Sequence, residues 1–77
     1  MVSACVLIRT ERGKFDEVSQ RLRQFDGVKR VFTVLGRFDI VVDLETPSFE
    51  MLGETVLRLG KMAGVVFTET LVEVKKG

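Results

Sequence analysis

The spacing of the apolar residues constrains this chain most, because it alternates along the sequence between the period of a β-strand and that of an α-helix. Residues 2–9 are an apolar run with several β-branched side chains, which predicts a buried strand. From Lys14 onward, apolar residues recur at helical spacing with charged residues between them, and Gly27 follows as a typical helix stop. The apolar face of this predicted helix consists of Phe15, Val18, Leu22 and Phe25.

A hairpin is predicted next. Residues 28–35 and 38–45 have the composition and alternation of strands, and Gly36 and Arg37 between them predict a tight connection. The two segments are therefore expected to pair with each other.

A second helix and a last strand complete the pattern. Thr46 and Pro47 predict an N-cap and a first-turn proline, while Gly53 and Gly60 are expected to let the helix approach the sheet closely. Residues 65–75 then alternate as a strand. The apolar face of this helix consists of Phe49, Leu52, Val56, Leu59 and Ala63.

The two halves of the chain resemble each other weakly, since Gly27-Val28 after the first helix matches Gly64-Val65 after the second. Two βαβ halves make a split βαβ arrangement, and right-handed crossovers place both helices on the same face of the sheet. The prediction is an α+β, ferredoxin-like βαββαβ fold in which a four-stranded antiparallel sheet carries two helices on one face. Residues 1–77 are expected to form a single domain, because so short a chain has room for one core.

The other face of the sheet is predicted to be a contact surface. If Ile40, Val42 and Leu44 face the helices, then Val41, Asp43 and Glu45 face away. Either orientation of the last strand leaves apolar groups mixed with polar ones on this face, which indicates a partner surface. We expect two sheets to stack across it, giving a dimeric α+β barrel. The last strand has Val66, Thr68, Thr70, Val72 and Val74 on one side and Phe67, Glu69, Leu71 and Glu73 on the other.

Composition argues against several classes of function. The chain has no His, Tyr or Trp and a single cysteine, Cys5, so metal binding through N or S ligands and His-based acid–base catalysis are not expected. Cys5 lies in an apolar run and is interpreted as a core residue. The formal net charge is +1, with both signs interspersed, which does not favour a nucleic-acid or membrane surface. Phe32 and Phe67 could stack bases on a sheet, but basic residues are not interleaved around both. No cofactor is expected, and a cytoplasmic location is the default.

The turn between the middle strands is the strongest candidate site. Successive backbone N–H groups around Gly36 can point at an anion, and Asp39 offers a counter-charge for an ammonium group. An α-amino acid has both charges. The alternative is an ordinary hairpin in which Asp39 helps to fix the turn.

Four pieces of the sequence occur in a characteristic order: the Gly27-Val28 strand start, the Gly36-Arg37-Phe38-Asp39 turn with the aliphatic strand after it, Gly64-Val65 and the Thr68-Glu69-Thr70 pattern. Together they resemble the effector (RAM) domain of the Lrp/AsnC family of transcription regulators. The resemblance covers essentially the whole chain, and it rests on the order and spacing of these pieces. The chain has no segment that resembles a helix-turn-helix, so a stand-alone effector domain without direct DNA binding is expected.

The resemblance implies an amino-acid effector, dimers formed by face-to-face sheets, and octamers or other rings of those dimers with effector clefts between them. Full-length regulators of the family are implied as further partners. Carried onto this chain, the cleft residues would be Leu35, Gly36, Arg37, Phe38 and Asp39, with Thr68 and Thr70 as second contributors. Arg37 is expected to influence the choice of ligand side chain and could favour an acidic one.

Two other functions stay open at this point. The chain could be an accessory subunit that only modulates the oligomerisation of a full-length regulator. It could also be a small enzyme of the dimeric α+β barrel type, which would require a deep cavity under the sheet lined by Asp43 or Glu45.

Overall fold

The computed structural model describes residues 1–74 and has the predicted βαββαβ order. The strands form one antiparallel sheet in the order β2-β3-β1-β4, so β1 and β3 are central and β2 and β4 are edge strands. The predicted α+β, ferredoxin-like fold is confirmed. Lys75, the last residue predicted for β4, lies outside the described residues. The elements are β1 (Val2–Thr10), α1 (Phe15–Leu22), β2 (Val28–Thr33), β3 (Ile40–Thr46), α2 (Phe49–Gly60) and β4 (Val65–Val72).

The core lies between the sheet and the two helices. Ala4, Val6 and Ile8 of β1 are buried and pair directly with Leu44, Val42 and Ile40 of β3, so the two central strands form one continuous apolar surface on this side. Complete burial of a Val, Leu or Ile side chain stabilises the folded state by about 1.5–3 kcal/mol. The predicted orientation of β3 is therefore confirmed. The helix residues that complete the buried core are Val18, Leu22, Leu52 and Leu59.

Helix α1 is shorter than the predicted one, which extended to the vicinity of Gly27. It ends at Leu22, and the N–H groups of Gln24 and Phe25 then donate to carbonyls three residues back, at 3.1 Å each. Such bonds tighten the last turn and close the helix early. Phe25 still packs against the core, and Gly27 has the positive φ, +89°, expected of a stop residue.

The cap of α2 differs from the prediction. Ser48 is the N-cap, and its hydroxyl accepts a hydrogen bond from the Met51 N–H at 3.2 Å. Thr46 cannot fill this position because it is the last residue of β3, paired with Val2 in the sheet. The expected role of Gly53 and Gly60 is also wrong, since a Cβ added at either position would meet nothing within 4 Å.

Candidate functional site

The connection between β2 and β3 is the loop of residues 34–39, which is longer than the predicted tight turn. The last bond across the hairpin runs from the Val34 N–H to the Asp39 carbonyl at 2.9 Å. Pairing stops there, so the expected continuation of the strands to Leu35 and from Phe38 is wrong. Residues 35–38, between Val34 and Asp39, are therefore not held by strand pairing.

Asp39 fixes one end of this loop to β1. Its Oδ2 accepts hydrogen bonds from the Thr10 N–H at 2.8 Å and from the Thr10 hydroxyl at 3.3 Å, while its own N–H donates to the Ile8 carbonyl at 2.9 Å. A hydrogen bond to a charged acceptor contributes about 1.5–3 kcal/mol, which is more than a neutral one contributes. Asp39 thus has the turn-fixing role that the alternative interpretation assigned to it. Within residues 1–74, its second oxygen, Oδ1, accepts no hydrogen bond.

Residues 37 and 38 of the loop are held by contacts on the side of the sheet away from the helices. The Arg9 Nε donates to the Arg37 carbonyl at 3.1 Å, and the Phe38 ring stacks on Phe67 of β4 with 6.4 Å between the ring centroids. Between these fixed points, the Leu35 side chain is fully exposed and Gly36 has a φ of +141°, a conformation that favours glycine. The loop is therefore tied at its base and exposed at its tip.

A depression of about 340 Å³ opens beside this loop, within the size range of small-molecule sites. Within residues 1–74, no hydrogen bond occupies the backbone N–H groups of Leu35, Gly36 and Arg37. The site thus combines backbone donors, one carboxylate and apolar walls. Its lining residues are Phe15, Thr33, Val34, Leu35 and Asp39.

The structure brings together only part of the predicted site. Leu35 and Asp39 line the depression and Gly36 lies between them, whereas Arg37 and Phe38 are absent from its lining. Thr68 and Thr70 are half-buried on β4, at the opposite edge of the sheet. Because three strand spacings of about 4.8 Å separate the two edge strands, about 14 Å lies between these threonines and β2.

Sequence reasoning missed Phe15, Thr33 and Val34 as site residues. The helical spacing that Phe15 shares with Val18 predicts a place on the core face of α1, yet Phe15 is 43% exposed and borders the loop. The only available signal was its position at the first residue of the helix, where packing against the sheet is least complete. The alternation predicts that Thr33 and Val34 both lie in a strand; in the structure Thr33 is the last residue of β2 and Val34 follows it, so both lie where the loop begins.

The side of the sheet away from the helices, here called the open face, mixes charged and apolar groups as predicted. Phe67 and Leu71 of β4 are 52% and 51% exposed. On the other half, Arg30 Nε lies 3.2 Å from Asp43 Oδ2, and Lys29 Nζ lies 3.7 Å from Glu45 Oε1. From the strand registers and these contacts, the open face includes Ser3, Cys5, Leu7, Arg9, Lys29, Arg30, Phe32, Val41, Asp43, Glu45, Phe67, Glu69 and Leu71.

Cys5 lies on this open face and is not part of the core, contrary to the interpretation from the sequence. It pairs with Asp43 and Leu71, while its neighbours Ala4 and Val6 point to the buried side. Burial raises the pKa of its thiol, and the negative charge of Asp43 raises it further. A raised pKa keeps the sulfur protonated, which makes it a poor nucleophile.

A second depression, of about 460 Å³, adjoins Cys5 and is lined by Asp43 and Glu45, but it is open to solvent, whereas the enzyme interpretation required a deep cavity. Both carboxylates are engaged in ion pairs, and the thiol beside them is protonated. This arrangement provides neither a free base nor an activated nucleophile.

Across residues 1–74, no group of three or more Cys, Asp or Glu side chains is arranged to hold a metal ion. None of the helices in that range is long and apolar enough to span a bilayer.

Comparison with known proteins gives a consistent result. The family model described as the Lrp/AsnC ligand binding domain matches residues 3–76. The HTH-type transcriptional regulator FL11 of Pyrococcus furiosus is 30% identical over 96% of this chain and 49% of its own length, so the chain spans about half of that relative. Among solved structures, hypothetical protein PHS023 from Pyrococcus horikoshii has a TM-score of 0.91 at 30% identity, covering 99% of this chain and 93% of its own. TTHA0845 from Thermus thermophilus has a TM-score of 0.93 at 27% identity, covering 100% of this chain and 98% of its own.

Proposed function

The chain belongs to the Lrp/AsnC ligand-binding domain family, and on that premise we propose that it is a non-catalytic regulatory module that binds an amino acid beside the β2–β3 loop. The observation that carries the proposal is the 340 Å³ depression lined by Asp39 and by apolar side chains, beside a loop in which the N–H groups of Leu35, Gly36 and Arg37 donate no hydrogen bond within residues 1–74. An amino acid needs donors for its carboxylate, an acceptor for its ammonium group and a surface for its side chain.

Each of these requirements has a candidate in the loop. Within residues 1–74, the N–H groups of Leu35, Gly36 and Arg37 donate to no acceptor, and they would bind the ligand carboxylate, as successive backbone donors bind anions elsewhere. Oδ1 of Asp39 would accept from the ammonium group while Oδ2 stays bonded to Thr10. The carboxylate would then have a structural role and a binding role at once.

The walls of the depression indicate which class of amino-acid side chain the ligand would have. Phe15, Val34 and Leu35 provide apolar surface, whereas Arg37 is absent from the lining. We therefore expect an apolar amino acid to bind more tightly than an acidic one, because no cation among the lining residues would offset the desolvation of a second carboxylate.

We further propose that two copies of the chain associate through the open face. The exposed rings and aliphatic groups of Phe32, Phe67 and Leu71 lie beside charged residues on this face, and stacking two sheets would remove them from water. Assembly of such dimers into octamers or other rings would allow Thr68 and Thr70 to reach the loop of a neighbouring subunit. Within one subunit, β1 lies between these threonines and Asp39.

The proposed biological role is regulation. FL11, of which this chain spans about half, is named as an HTH-type transcriptional regulator. Ligand binding at a seam between subunits would change the assembly equilibrium, and a changed assembly would alter transcription through the full-length regulators with which it associates.

Calorimetric titration with each of the twenty amino acids tests the binding proposal. We expect at least one apolar amino acid to bind with a Kd below about 1 mM, the regime of a weak but specific site. Asp39→Asn keeps a hydrogen-bond acceptor for Thr10 but removes the charge, so it should weaken binding about tenfold or more without unfolding the protein. Asp16→Asn, at an exposed position of α1, is the matched control and should bind as the wild type does.

The outcomes separate the remaining functions. Absence of binding by any amino acid to a folded, oligomeric protein would reject sensing and leave the accessory role. Loss of binding in Asp39→Asn with assembly unchanged would support sensing at the loop.

A further inference from the structure

Two side chains of the open face hold the loop of residues 34–39 from the side away from the proposed ligand. Arg9 of β1 and Phe67 of β4 lie directly opposite each other in the sheet. The Arg9 Nε donates to the Arg37 carbonyl at 3.1 Å, and the Phe67 ring stacks on Phe38 with 6.4 Å between the ring centroids. We call these two side chains the clamp. Neither of them lines the depression of about 340 Å³.

We infer that the clamp positions the ligand site: by holding the Arg37 carbonyl on the open face, it turns the Phe38 N–H toward the depression, as a further donor to the ligand carboxylate. This inference rests on the proposed binding of an amino acid, and it adds one donor and two positioning residues to that site. Arg9 and Phe67 would contact no atom of the ligand, because they act through the backbone of the loop.

The direction of the Phe38 N–H follows from the peptide unit that it shares with the Arg37 carbonyl. This peptide is trans, and in a planar trans peptide the C=O and the N–H point in opposite directions. The carbonyl accepts from Arg9 on the open face, whereas Phe15 of α1 lines the depression on the helix side. The N–H is therefore directed to the helix side, and within residues 1–74 it donates no hydrogen bond.

The guanidinium of Arg9 also makes the N–H a better donor. A hydrogen bond to a carbonyl polarises the peptide unit, which strengthens the bond that its N–H can donate. Within residues 1–74, the Arg9 side chain makes no ion pair that would offset its charge. A positive charge one peptide unit behind the N–H therefore favours an anion in front of it.

The sheet is irregular at the position of the clamp. The pairing of β1 with β4 keeps one register up to Arg9 and shifts by one residue before Thr10, so Val66 is an extra residue without a partner on β1. Such a bulge bends its strand and re-aims the side chains beside it. Phe67 follows the bulge directly, and its stack with Phe38 fixes the residue that carries the inferred donor.

Calorimetric titration with L-leucine and L-leucinamide as probes tests the inference, because the amide lacks the carboxylate that the N–H would bind. At about pH 6 both probes have a charged ammonium group. We expect the wild type to bind L-leucine about tenfold or more tightly than L-leucinamide, the difference made by charge-assisted hydrogen bonds. Arg9→Met removes the donor and its charge but keeps an apolar stem, so it should reduce this preference several-fold. A merely structural role for Arg9 would weaken both probes equally and leave the preference unchanged.

Further variants separate the contact from the charge. Arg9→Lys keeps a cationic donor and should recover part of the preference, whereas Arg12→Met removes the same charge at an exposed position outside the clamp and should bind both probes as the wild type does. Phe67→Leu loses the ring stack but stays apolar, and it should also reduce the preference. Phe49→Leu makes the same change at an exposed ring of α2 and should leave the preference unchanged.

A measurement without ligand tests the clamp itself. Amide nitrogen relaxation, measured by NMR at one protein concentration, should give order parameters of about 0.85 for Arg37 and Phe38 in the wild type, the value of rigid backbone. Arg9→Met combined with Phe67→Leu should lower both order parameters below about 0.6, the range of flexible backbone. The combined control, Arg12→Met with Phe49→Leu, should keep the wild-type values.

The outcomes distinguish the inference from the function on which it rests. A wild type that binds none of the twenty amino acids rejects the proposed function. An equal preference for L-leucine in the wild type and in Arg9→Met overturns the inference alone, as do order parameters that the combined clamp variant leaves unchanged. A wild type that binds another amino acid but binds L-leucine no more tightly than L-leucinamide also overturns it.

Discussion

Gly64 lies between α2 and β4 at a position where α1 crowds the backbone, and its replacement by alanine tests the packing of the fold. Its φ is +94°, and an added Cβ would lie 2.9 Å from Val18 Cγ2 and 3.4 Å from Lys14 Cβ. Val18 is only 1% exposed, so its side chain has little space into which to move. The Gly64 carbonyl also accepts from the Glu11 N–H at 2.8 Å, which holds the backbone in place.

The expected loss of stability is the sum of two costs. A left-handed conformation costs a residue with a Cβ about 1–2 kcal/mol. Overpacking against a buried side chain costs about 1–3 kcal/mol, while the reduced entropy of the unfolded chain returns about 0.4–1 kcal/mol. We therefore expect Gly64→Ala to lower the free energy of unfolding by about 2–4 kcal/mol, which for a chain of this size lowers Tm by roughly 8 °C or more.

Gly13→Ala is the matched control, because Gly13 has a φ of +80° but nothing within 4 Å of an added Cβ. Both variants are measured by urea unfolding monitored by circular dichroism, at one protein concentration so that association affects them equally. Gly13→Ala should lose only about 1 kcal/mol, the strain alone. If the two variants differ by less than about 0.5 kcal/mol, the contact with Val18 contributes nothing and the reasoning fails.

Two further predictions concern the cap of α2 and the thiol on the open face. Ser48→Ala should lower the free energy of unfolding by about 1 kcal/mol in the same urea assay, because the Met51 N–H loses its acceptor, and an unchanged midpoint would exclude Ser48 as the cap. Asp43→Asn should shift the pH dependence of Cys5 alkylation in dilute protein to lower pH, since removing the nearby negative charge lowers the raised pKa of the thiol. Asp16→Asn should leave that dependence in place, and equal curves for both variants would contradict the proposed effect of Asp43.

Residues close together in the sequence account for the successful predictions at the candidate site. The glycine at 36 and the carboxylate at 39 indicated a specialised turn, and Asp39 does organise the loop. Its hydrogen-bond partner, Thr10, is distant along the chain, and no local pattern indicated this pairing. The same limitation explains the omission of Phe15, which borders the loop through tertiary packing.

The sequence alone determined the order of helices and strands, the buried side of β3 and the absence of imidazole chemistry. Periodicity and composition depend only on which residues are neighbours along the chain, so they can be read without the tertiary structure. Tertiary structure decided where pairing ends, as the Val34–Asp39 bond shows, and placed Thr68 and Thr70 on β4, at the edge of the sheet opposite β2. It also placed Cys5 on the open face. The physical reason is that strand register is set by pairing between distant segments, and a shift of one residue moves every side chain to the other face.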